Sequence, residues 1–200
     1  WNNEGNQASC YIEGATYGVY QQNKTIIVEE CKFPSQSMED GIFVNEKSAP
    51  NLVVRNNLFE NSGEEGIRIQ NYSNPSVFIY NNIFIGTHKG IYYDFTAGDT
   101  YETMIIEITN NIFYDNSVTI LFSDDSWDFW VAYNASNNQS MNYDYFPLNS
   151  TNPQFRDIYN DDYRLSLGSP LIDAGNPETI YNDLDGSRND IGVYGGSNTW

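Results

Sequence analysis

Short runs of apolar and β-branched residues recur along the first two thirds of the chain, and each run ends in a phenylalanine. The four clearest runs span residues 26–33, 52–59, 77–84 and 106–113, so successive phenylalanines are 26, 25 and 29 residues apart. A second short strand is predicted roughly seven residues after each phenylalanine. A period of roughly 25 residues with two or three short strands per copy predicts a parallel β-helix.

The second strand of each copy is usually opened by a glycine, as at Gly41, Gly66 and Gly90, with residues 119–120 as a weaker fourth copy. Residues 17–20 and 131–134 belong to an earlier and a later copy, which brings the expected number of coils to about five to six. A β-sandwich is the alternative fold. Its hairpins would not place the same residue at the same point of every copy.

An Asn-Asn pair stands shortly before the phenylalanine in three of the runs, and its second members are Asn57, Asn82 and Asn111. Strands of stacked coils lie about 4.8 Å apart, so these side chains are expected to form a ladder that satisfies the backbone of the turn. The phenylalanines are expected to stack inside the coil as an aromatic column. Both features are interpreted as core.

The two cysteines, Cys10 and Cys31, are separated by 21 residues, which is close to one coil. Cys31 takes the place that Asn57 takes one coil later. Neighbouring coils bring two Cα atoms close enough for a disulfide, but parallel side chains do not naturally adopt the required dihedral angle. A disulfide and two stacked thiols both remain open.

The composition limits the function classes. Nine Lys and Arg stand against 27 Asp and Glu, for a formal net charge of −18, which disfavours binding to nucleic acid or to an anionic membrane surface. The chain is not predicted to be disordered, since 40% of its residues are hydrophobic and 16% are aromatic. No apolar run is long enough to span a membrane. Two Cys and one His exclude a metal site built from Cys and His clusters.

From about residue 143 the repeat gives way to a tail rich in Asn, Asp, Gly and Pro. Residues 1–142 are interpreted as the coils and residues 143–200 as an irregular C-terminal cap within the same domain, because a solenoid must cover its last coil. The motifs of the tail are NPQF at 152–155, DYRL at 162–165, GSPLIDAG at 168–175 and DLDGSRNDIGVYGG at 183–196.

These tail motifs resemble the C-terminal end of secreted bacterial and archaeal right-handed parallel β-helix repeat proteins, and the upstream repeats are similar to the same pectate-lyase-like superfamily. The resemblance implies an all-β, right-handed solenoid at the cell surface or outside the cell, as part of a larger secreted protein. It does not imply one activity, since the group includes polysaccharide lyases, epimerases, hydrolases and non-catalytic surface proteins.

The best candidate site follows from alternation along the second strands, which points Phe43, Arg68 and Tyr92 outward. Charged residues stand just before the glycines of the same strands: Asp40, Glu65, His88 and Lys89. Stacking would bring these seven residues onto one face. Asp40, Phe43, Glu65 and Tyr92 are assigned to substrate binding, and Arg68, Lys89 and His88 to catalysis, because glycan chemistry uses carboxylates, a base and a stacking ring. A solvated, salt-bridged surface without a ligand is the alternative.

In the families that this chain resembles, β-elimination of uronates uses an Arg or Lys base, and calcium commonly neutralises the substrate carboxylate. Arg68 and Lys89 are candidates for the base or the clamp, and His88 is the only side chain that ordinarily titrates near neutral pH. An acidic surface repels pectate or alginate unless cations bridge the charges, whereas neutral glycans meet no such barrier. Calcium is therefore the expected cofactor of a lyase.

Asp183, Asp185 and Asp190 are a second candidate for calcium, because they supply hard oxygen ligands around Gly186. The segment does not fit the EF-hand template, and aspartates that cap tight turns explain it as well. Trp127, in the acidic stretch 124–130, would offer a stacking platform for sugar if exposed. Burial against the last coil is the favoured interpretation, since large aromatic residues usually fill cores.

The sequence thus predicts a surface module that binds or displays carbohydrate. The rival hypotheses are a calcium-dependent polysaccharide lyase or epimerase and a structural spacer or adhesin without a small ligand.

Overall fold

The structure is a computed structural model that describes residues 10–11, 17–21, 26–34, 39–46, 51–71, 76–95, 105–123, 129–138, 141 and 143–197. Three parallel sheets surround one core, and each turn of the chain adds a strand to successive sheets. Sheet A contains β1 (Cys10–Tyr11), β4 (Cys31–Pro34), β7 (Leu58–Glu60), β10 (Ile83–Ile85), β13 (Ile112–Tyr114) and β16 (Ala135–Ser136).

Sheets B and C complete the three faces. Sheet B contains β2 (Tyr17–Gln21), β5 (Asp40–Glu46), β8 (Glu65–Asn71), β11 (Lys89–Phe95) and β14 (Val118–Phe122). Sheet C contains β3 (Ile26–Glu29), β6 (Asn51–Arg55), β9 (Ser76–Tyr80), β12 (Ile105–Thr109) and β15 (Trp130–Ala132). The predicted all-β parallel solenoid is confirmed. None of the described helices is long and apolar enough to cross a membrane.

From β1 to β16 the described strands take sheets A, B and C in strict rotation, which makes five rounds of three strands followed by β16 alone. The last turn is incomplete because the chain leaves the coil after Ser136 to form the C-terminal tail.

The phenylalanine column is confirmed and forms the centre of the core. Phe33, Phe59, Phe84 and Phe113 are fully buried, with successive ring centroids 4.6, 4.8 and 5.0 Å apart and planes within 8° of parallel. Each ring sits one turn above the last because the strands are paired in register. The offset between turns thus fixes the stacking distance.

The asparagine ladder is also confirmed, and it extends one step further than predicted, to Asn134. The side-chain nitrogen of Asn57 donates to Asn82, that of Asn82 to Asn111 and that of Asn111 to Asn134, at 2.9–3.0 Å. The same nitrogens donate to backbone carbonyls of their own turn and of the preceding turn. The ladder therefore provides hydrogen-bond partners for buried backbone groups between sheets C and A.

Cys10 and Cys31 are Cα partners on neighbouring turns, as the spacing predicted. Cys31 is buried, and its sulfur lies 3.3 Å from the carbonyl oxygen of Glu29. The side chain of Cys10 lies outside the described part of the chain, so the choice between a disulfide and two stacked thiols stays open.

The C-terminal tail runs back along the outer face of sheet A. It contains an antiparallel pair, β17 (Phe155–Asp157) and β18 (Asp162–Leu165), and two short 3-10 helices, Ile158–Asn160 and Thr179–Tyr181. Outward-facing Leu58, Ile83 and Ile112 are fully buried beneath tail residues that include Leu171 and Val193. This forms a second apolar core outside the coil.

Polar contacts fix the tail in place. The first asparagine of each Asn-Asn pair binds it: Asn56 donates to the carbonyl of Val193 at 2.9 Å, and Asn81 to that of Gly192 at 3.0 Å. Asn110 accepts from the backbone N–H of Asn176 at 2.7 Å. These three asparagines have φ of 52°, 55° and 59°, in the left-handed region that Asn tolerates better than other side chains.

Candidate functional site

The register of sheet B brings the sequence-predicted residues together in two rows. Asp40, Glu65 and Lys89 are Cα partners on successive strands, and Phe43, Arg68 and Tyr92 form the parallel row three residues further along. The second row faces away from the core, as alternation along the strands predicts.

Glu65 is the centre of the first row. Its carboxylate forms an ion pair with the ammonium group of Lys89, and its backbone N–H donates to Oδ1 of Asp40 at 3.3 Å. Asp40 and Glu65 are 1% and 2% exposed. The second carboxylate oxygen of Glu65, Oε2, is buried, and no N–H group of the described residues donates to it. The carboxyl group of Asp40 is the neighbour that can donate a hydrogen bond to Glu65.

The two carboxyl groups have opposite protonation tendencies. Burial, reinforced by the neighbouring Glu65, raises the pKa of Asp40 to about 8. Burial acts on Glu65 in the same direction, but hydrogen bonds from Asp40 and Lys89 outweigh it and lower the pKa of Glu65. At neutral pH the pair therefore holds one proton, on Asp40, and one negative charge, on Glu65.

The second row is organised around Arg68. Its guanidinium carbon lies 5.3 Å from the ring centre of Phe43 and 5.8 Å from that of Tyr92, within the range of cation–π attraction. The Nζ atom of Lys89 lies 4.8 Å from the ring centre of Tyr92. Burial and the nearby Asp94 raise the pKa of Tyr92, so its hydroxyl remains protonated.

Two residues that the sequence analysis did not single out complete this face. Asp94 Oδ2 lies 3.9 Å from Arg68 Nη2 and accepts a hydrogen bond from Gln70 Nε2 at 2.7 Å. Gln70 and Asp94 are Cα partners, two residues beyond the Arg68 and Tyr92 positions. The same alternation that selected Arg68 and Tyr92 would have found them one step further along.

Exposure divides the predicted residues into two groups. Asp40 and Phe43 are buried and support the face from beneath. Arg68, Lys89 and Tyr92 are partly exposed, and His88 is exposed beside Lys89. Trp127 lies outside the described residues. A ligand on this face would therefore contact Arg68, Lys89 and Tyr92 first.

Comparison with protein-family models gives one finding. A model for the right-handed beta helix region matches residues 1–157, which is most of the chain. The protein belongs to the right-handed β-helix family. Searches of curated proteins and of solved structures gave no match.

Membership of this family confirms the handedness that the resemblance implied, and it assigns no reaction. The more specific placement of this β-helix in the pectate-lyase-like superfamily, and the secreted C-terminus, therefore stay predictions. The family model ends at residue 157, before the tail segments that bind Asn56, Asn81 and Asn110.

A metal ion has one geometric candidate on the sheet B face. Carboxylate oxygens of Asp40, Glu64 and Glu65 all lie within 4.8 Å of one another, and among the described residues no other group of three acidic, His or Cys side chains meets that distance. Oxygen ligands of this kind suit calcium. Glu64 was not identified from the sequence, because its position beside the strand gives no periodic signal.

The tail aspartates accept hydrogen bonds from backbone N–H groups of the tail. Asp183 accepts hydrogen bonds from the N–H groups of Asp190 and Gly196, and burial raises its pKa to about 6. Asp185 accepts from the N–H of Ser187 at 2.9 Å, and Asp190 accepts from that of Asp173 at 2.8 Å. Calcium binding by Asp183, Asp185 and Asp190 stays a prediction beside this structural role.

The Asp40–Glu65 pair predicts a pH-dependent stability. Because the pKa of Asp40 is higher in the folded protein than its ordinary 3.8, the folded state keeps a proton that the unfolded chain loses, and stability falls as pH rises toward about 8. One proton of difference corresponds to a slope of about 1.4 kcal/mol per pH unit. The lowered pKa of Glu65 acts only below its ordinary 4.5.

Asp40→Asn should therefore flatten the dependence of unfolding free energy on pH between about 5 and 7, because asparagine mimics the protonated acid. Urea denaturation at several pH values measures the slope. Asp185→Asn, a change at an exposed carboxylate, is the control and should keep the wild-type slope. Equal slopes in wild type and Asp40→Asn would contradict the assignment of the proton to Asp40.

Proposed function

We propose that this β-helix is a carbohydrate-binding module that acts at the cell surface or outside the cell, and that its ligand lies on the sheet B face. The observation that carries the proposal is the position of Tyr92, whose ring lies near the guanidinium group of Arg68 on the neighbouring strand and the ammonium group of Lys89 on its own strand. A partly exposed aromatic residue with fixed polar groups around it is a common arrangement for recognising a polar ligand that also has apolar faces.

The charges on this face favour a neutral sugar. Lys89 is paired with Glu65, and Arg68 lies near Asp94, so neither cation offers an uncompensated charge to an anionic ligand. The net charge of −18 adds a long-range repulsion toward acidic polysaccharides. Hydroxyl groups of a neutral glycan would instead accept from Arg68 and Lys89 and donate to Asp94.

Tyr92→Ala tests the proposal. We expect this variant to bind its best glycan about tenfold more weakly than wild type. The substitution removes the ring that would contact the sugar, and it removes the cation–π contacts that hold Arg68 and Lys89 beside it. A glycan array identifies the ligand, and isothermal titration calorimetry measures the dissociation constant. Tyr159→Ala is the matched control, since Tyr159 is 94% exposed in the tail and should leave affinity unchanged.

Two outcomes would overturn the proposal. If Tyr92→Ala and Tyr159→Ala bind the glycan as well as wild type, the ligand does not lie on this face. If wild type binds no glycan on the array, a structural spacer or adhesin becomes the better account.

A polysaccharide-active enzyme, either a lyase or an epimerase, is the second candidate, and one observation favours it. Asp40 and Glu65 are adjacent carboxyl groups of which one is protonated and the other ionised at neutral pH, the pairing that acid–base chemistry on sugars uses. If Asp40 is ionised instead, Asp40, Glu64 and Glu65 would hold calcium, which would neutralise the carboxylate of a uronate when bound.

In this enzyme hypothesis Arg68 would act as the base that removes the substrate proton, and Lys89, which is paired with Glu65, would clamp the substrate. The test is the absorbance of unsaturated product from pectate and alginate, measured with calcium and again with chelator. Calcium-dependent turnover that disappears in Arg68→Ala would favour the lyase over a binding module. The absence of turnover in both conditions would eliminate it.

A further inference from the structure

A cleft lies between the outer surface of sheet C and the C-terminal tail, and none of its lining residues belongs to sheet B. Its volume is about 470 Å³, within the range of small-ligand sites. Val53, Phe78 and Tyr80 of sheet C form the floor, and Ile180 and Tyr181 of the tail form one wall. The sequence gives no sign of this cleft, because its two sides are about 100 residues apart in the chain.

The floor and wall are largely aromatic. Phe78 and Tyr80 are two residues apart on the same strand, so both rings stand on the outer face of sheet C. Tyr181 packs edge-on against Tyr80, with ring centres 6.1 Å apart and planes at 77°. Ile180 is 75% exposed at the rim. The cleft is therefore an apolar surface that water covers when no ligand is present.

The polar groups of the cleft are arranged around these rings. Tyr181 donates its hydroxyl hydrogen to Oε1 of Glu107, and Arg55 Nη1 donates to the hydroxyl oxygen of Tyr80 at 3.2 Å. Among the described residues, no group accepts the hydroxyl hydrogen of Tyr80, and no group donates to Oε2 of Glu107. The cleft thus presents one donor and one acceptor to a ligand.

The charge of the cleft disfavours an anion. Arg55 is neutralised by Glu29, to which its Nε donates at 2.6 Å. Glu107 forms no ion pair within the described ranges, which leaves the cleft with a net negative charge. A carboxylate or sulfate ligand would meet this charge without a compensating cation, whereas a hydroxyl group could donate to Glu107.

A row of side chains on the outer face of sheet C continues beyond the cleft along the solenoid axis. Phe78, Glu107 and Trp130 are Cα partners on three successive strands. Trp130 is 44% exposed and stacks on Tyr145, with ring centres 5.4 Å apart. The partly exposed Phe78 and the exposed Trp130, with the carboxylate of Glu107 between them, span two turns, which is longer than one sugar ring and suits a chain of several.

We infer that the cleft between sheet C and the tail is a second binding site, and that it takes a neutral oligosaccharide. The inference shares with the proposed function only the class of ligand. One sugar ring lies against Phe78 and donates a hydroxyl to Glu107, and the following units extend toward Trp130. The anchoring of the tail by Asn56 and Asn81 keeps the wall formed by Tyr181 in position.

The test uses four probes, cellotetraose, mannotetraose, maltotetraose and tetragalacturonate, with affinity measured by calorimetry and contacts by saturation-transfer NMR. Phe78→Ala should weaken binding of the best neutral tetrasaccharide about tenfold, and Glu107→Gln about fivefold. Glu107→Gln keeps the shape of the side chain, so Tyr181 retains an acceptor. Thermal unfolding of each variant checks that the fold is retained.

Tyr92→Ala on sheet B separates this inference from the proposed function. The inference is supported if Phe78→Ala and Glu107→Gln bind the neutral tetrasaccharide more weakly while Tyr92→Ala binds it with wild-type affinity. If the affinity falls in Tyr92→Ala and not in Phe78→Ala, the sugar binds on the sheet B face and the inference of a site in the cleft is wrong. If no neutral tetrasaccharide binds, or tetragalacturonate binds as well as they do, the inference fails.

Discussion

Asn82→Ala should lower the free energy of unfolding by about 4 kcal/mol, because it interrupts the asparagine ladder at its centre. The Asn82 side chain is fully buried. Its nitrogen donates to the carbonyls of Val54 and Tyr80 at 2.9 and 3.0 Å, and its oxygen accepts from the backbone N–H of Asn57 at 3.0 Å. Alanine leaves all three groups buried without partners, and each such group costs about 1–3 kcal/mol.

Urea denaturation followed by circular dichroism measures this effect. Asn138→Ala is the control, because Asn138 is exposed and makes one weak hydrogen bond, at 3.4 Å to the carbonyl of Asn116. We expect the control to change stability by less than about 0.5 kcal/mol. A loss in Asn82→Ala as small as that in the control would show that the ladder contributes little to the stability of the coil.

Gly66→Ala should be destabilising by about 3 kcal/mol, because the added methyl group has no space. A Cβ atom at this position would lie 2.5 Å from Cδ1 of Phe84 and 2.7 Å from the carbonyl oxygen of Gly90. Phe84 is stacked between Phe59 and Phe113 and does not move aside. The carbonyl belongs to the neighbouring strand of sheet B, so relieving the contact would separate two strands.

Gly168→Ala is the matched control for this substitution. A Cβ atom at Gly168 would meet only the side chain of Gln154, at 3.6 Å, which is an ordinary contact. Thermal unfolding of the two variants should therefore show a large fall in midpoint for Gly66→Ala and little change for Gly168→Ala. Similar midpoints would mean that the phenylalanine column adapts to an added methyl group.

The periodic features of this protein could be predicted from the sequence, because a solenoid repeats the same contacts on every turn. The spacing of the phenylalanines gave the column, and the second asparagine of each pair gave the ladder. Alternation placed Arg68 and Tyr92 on one outer face, and their cation–π contact followed from the strand register. In each case the partner lies one period away.

Burial on the sheet B face was not predictable in the same way. Alternation predicted that Phe43 points outward, and stacking of successive coils put Asp40 on the same face, but neither pattern could predict that both residues are buried. Nor did the sequence explain why glycine opens the second strands. The structure explains it at Gly66, where the ring of Phe84 from the next turn occupies the space of a side chain.

The sequence by itself thus determined the coil, the phenylalanine column, the asparagine ladder and the composition of one outer face, since these depend on neighbours at a fixed separation. Only the tertiary structure decided the path of the tail, the role of Asn56 and Asn81 in holding it, and the cleft beside Phe78. Their partners lie more than 100 residues away in an aperiodic segment. No sequence repeat indicates such contacts, because each occurs once, between the coil and the tail.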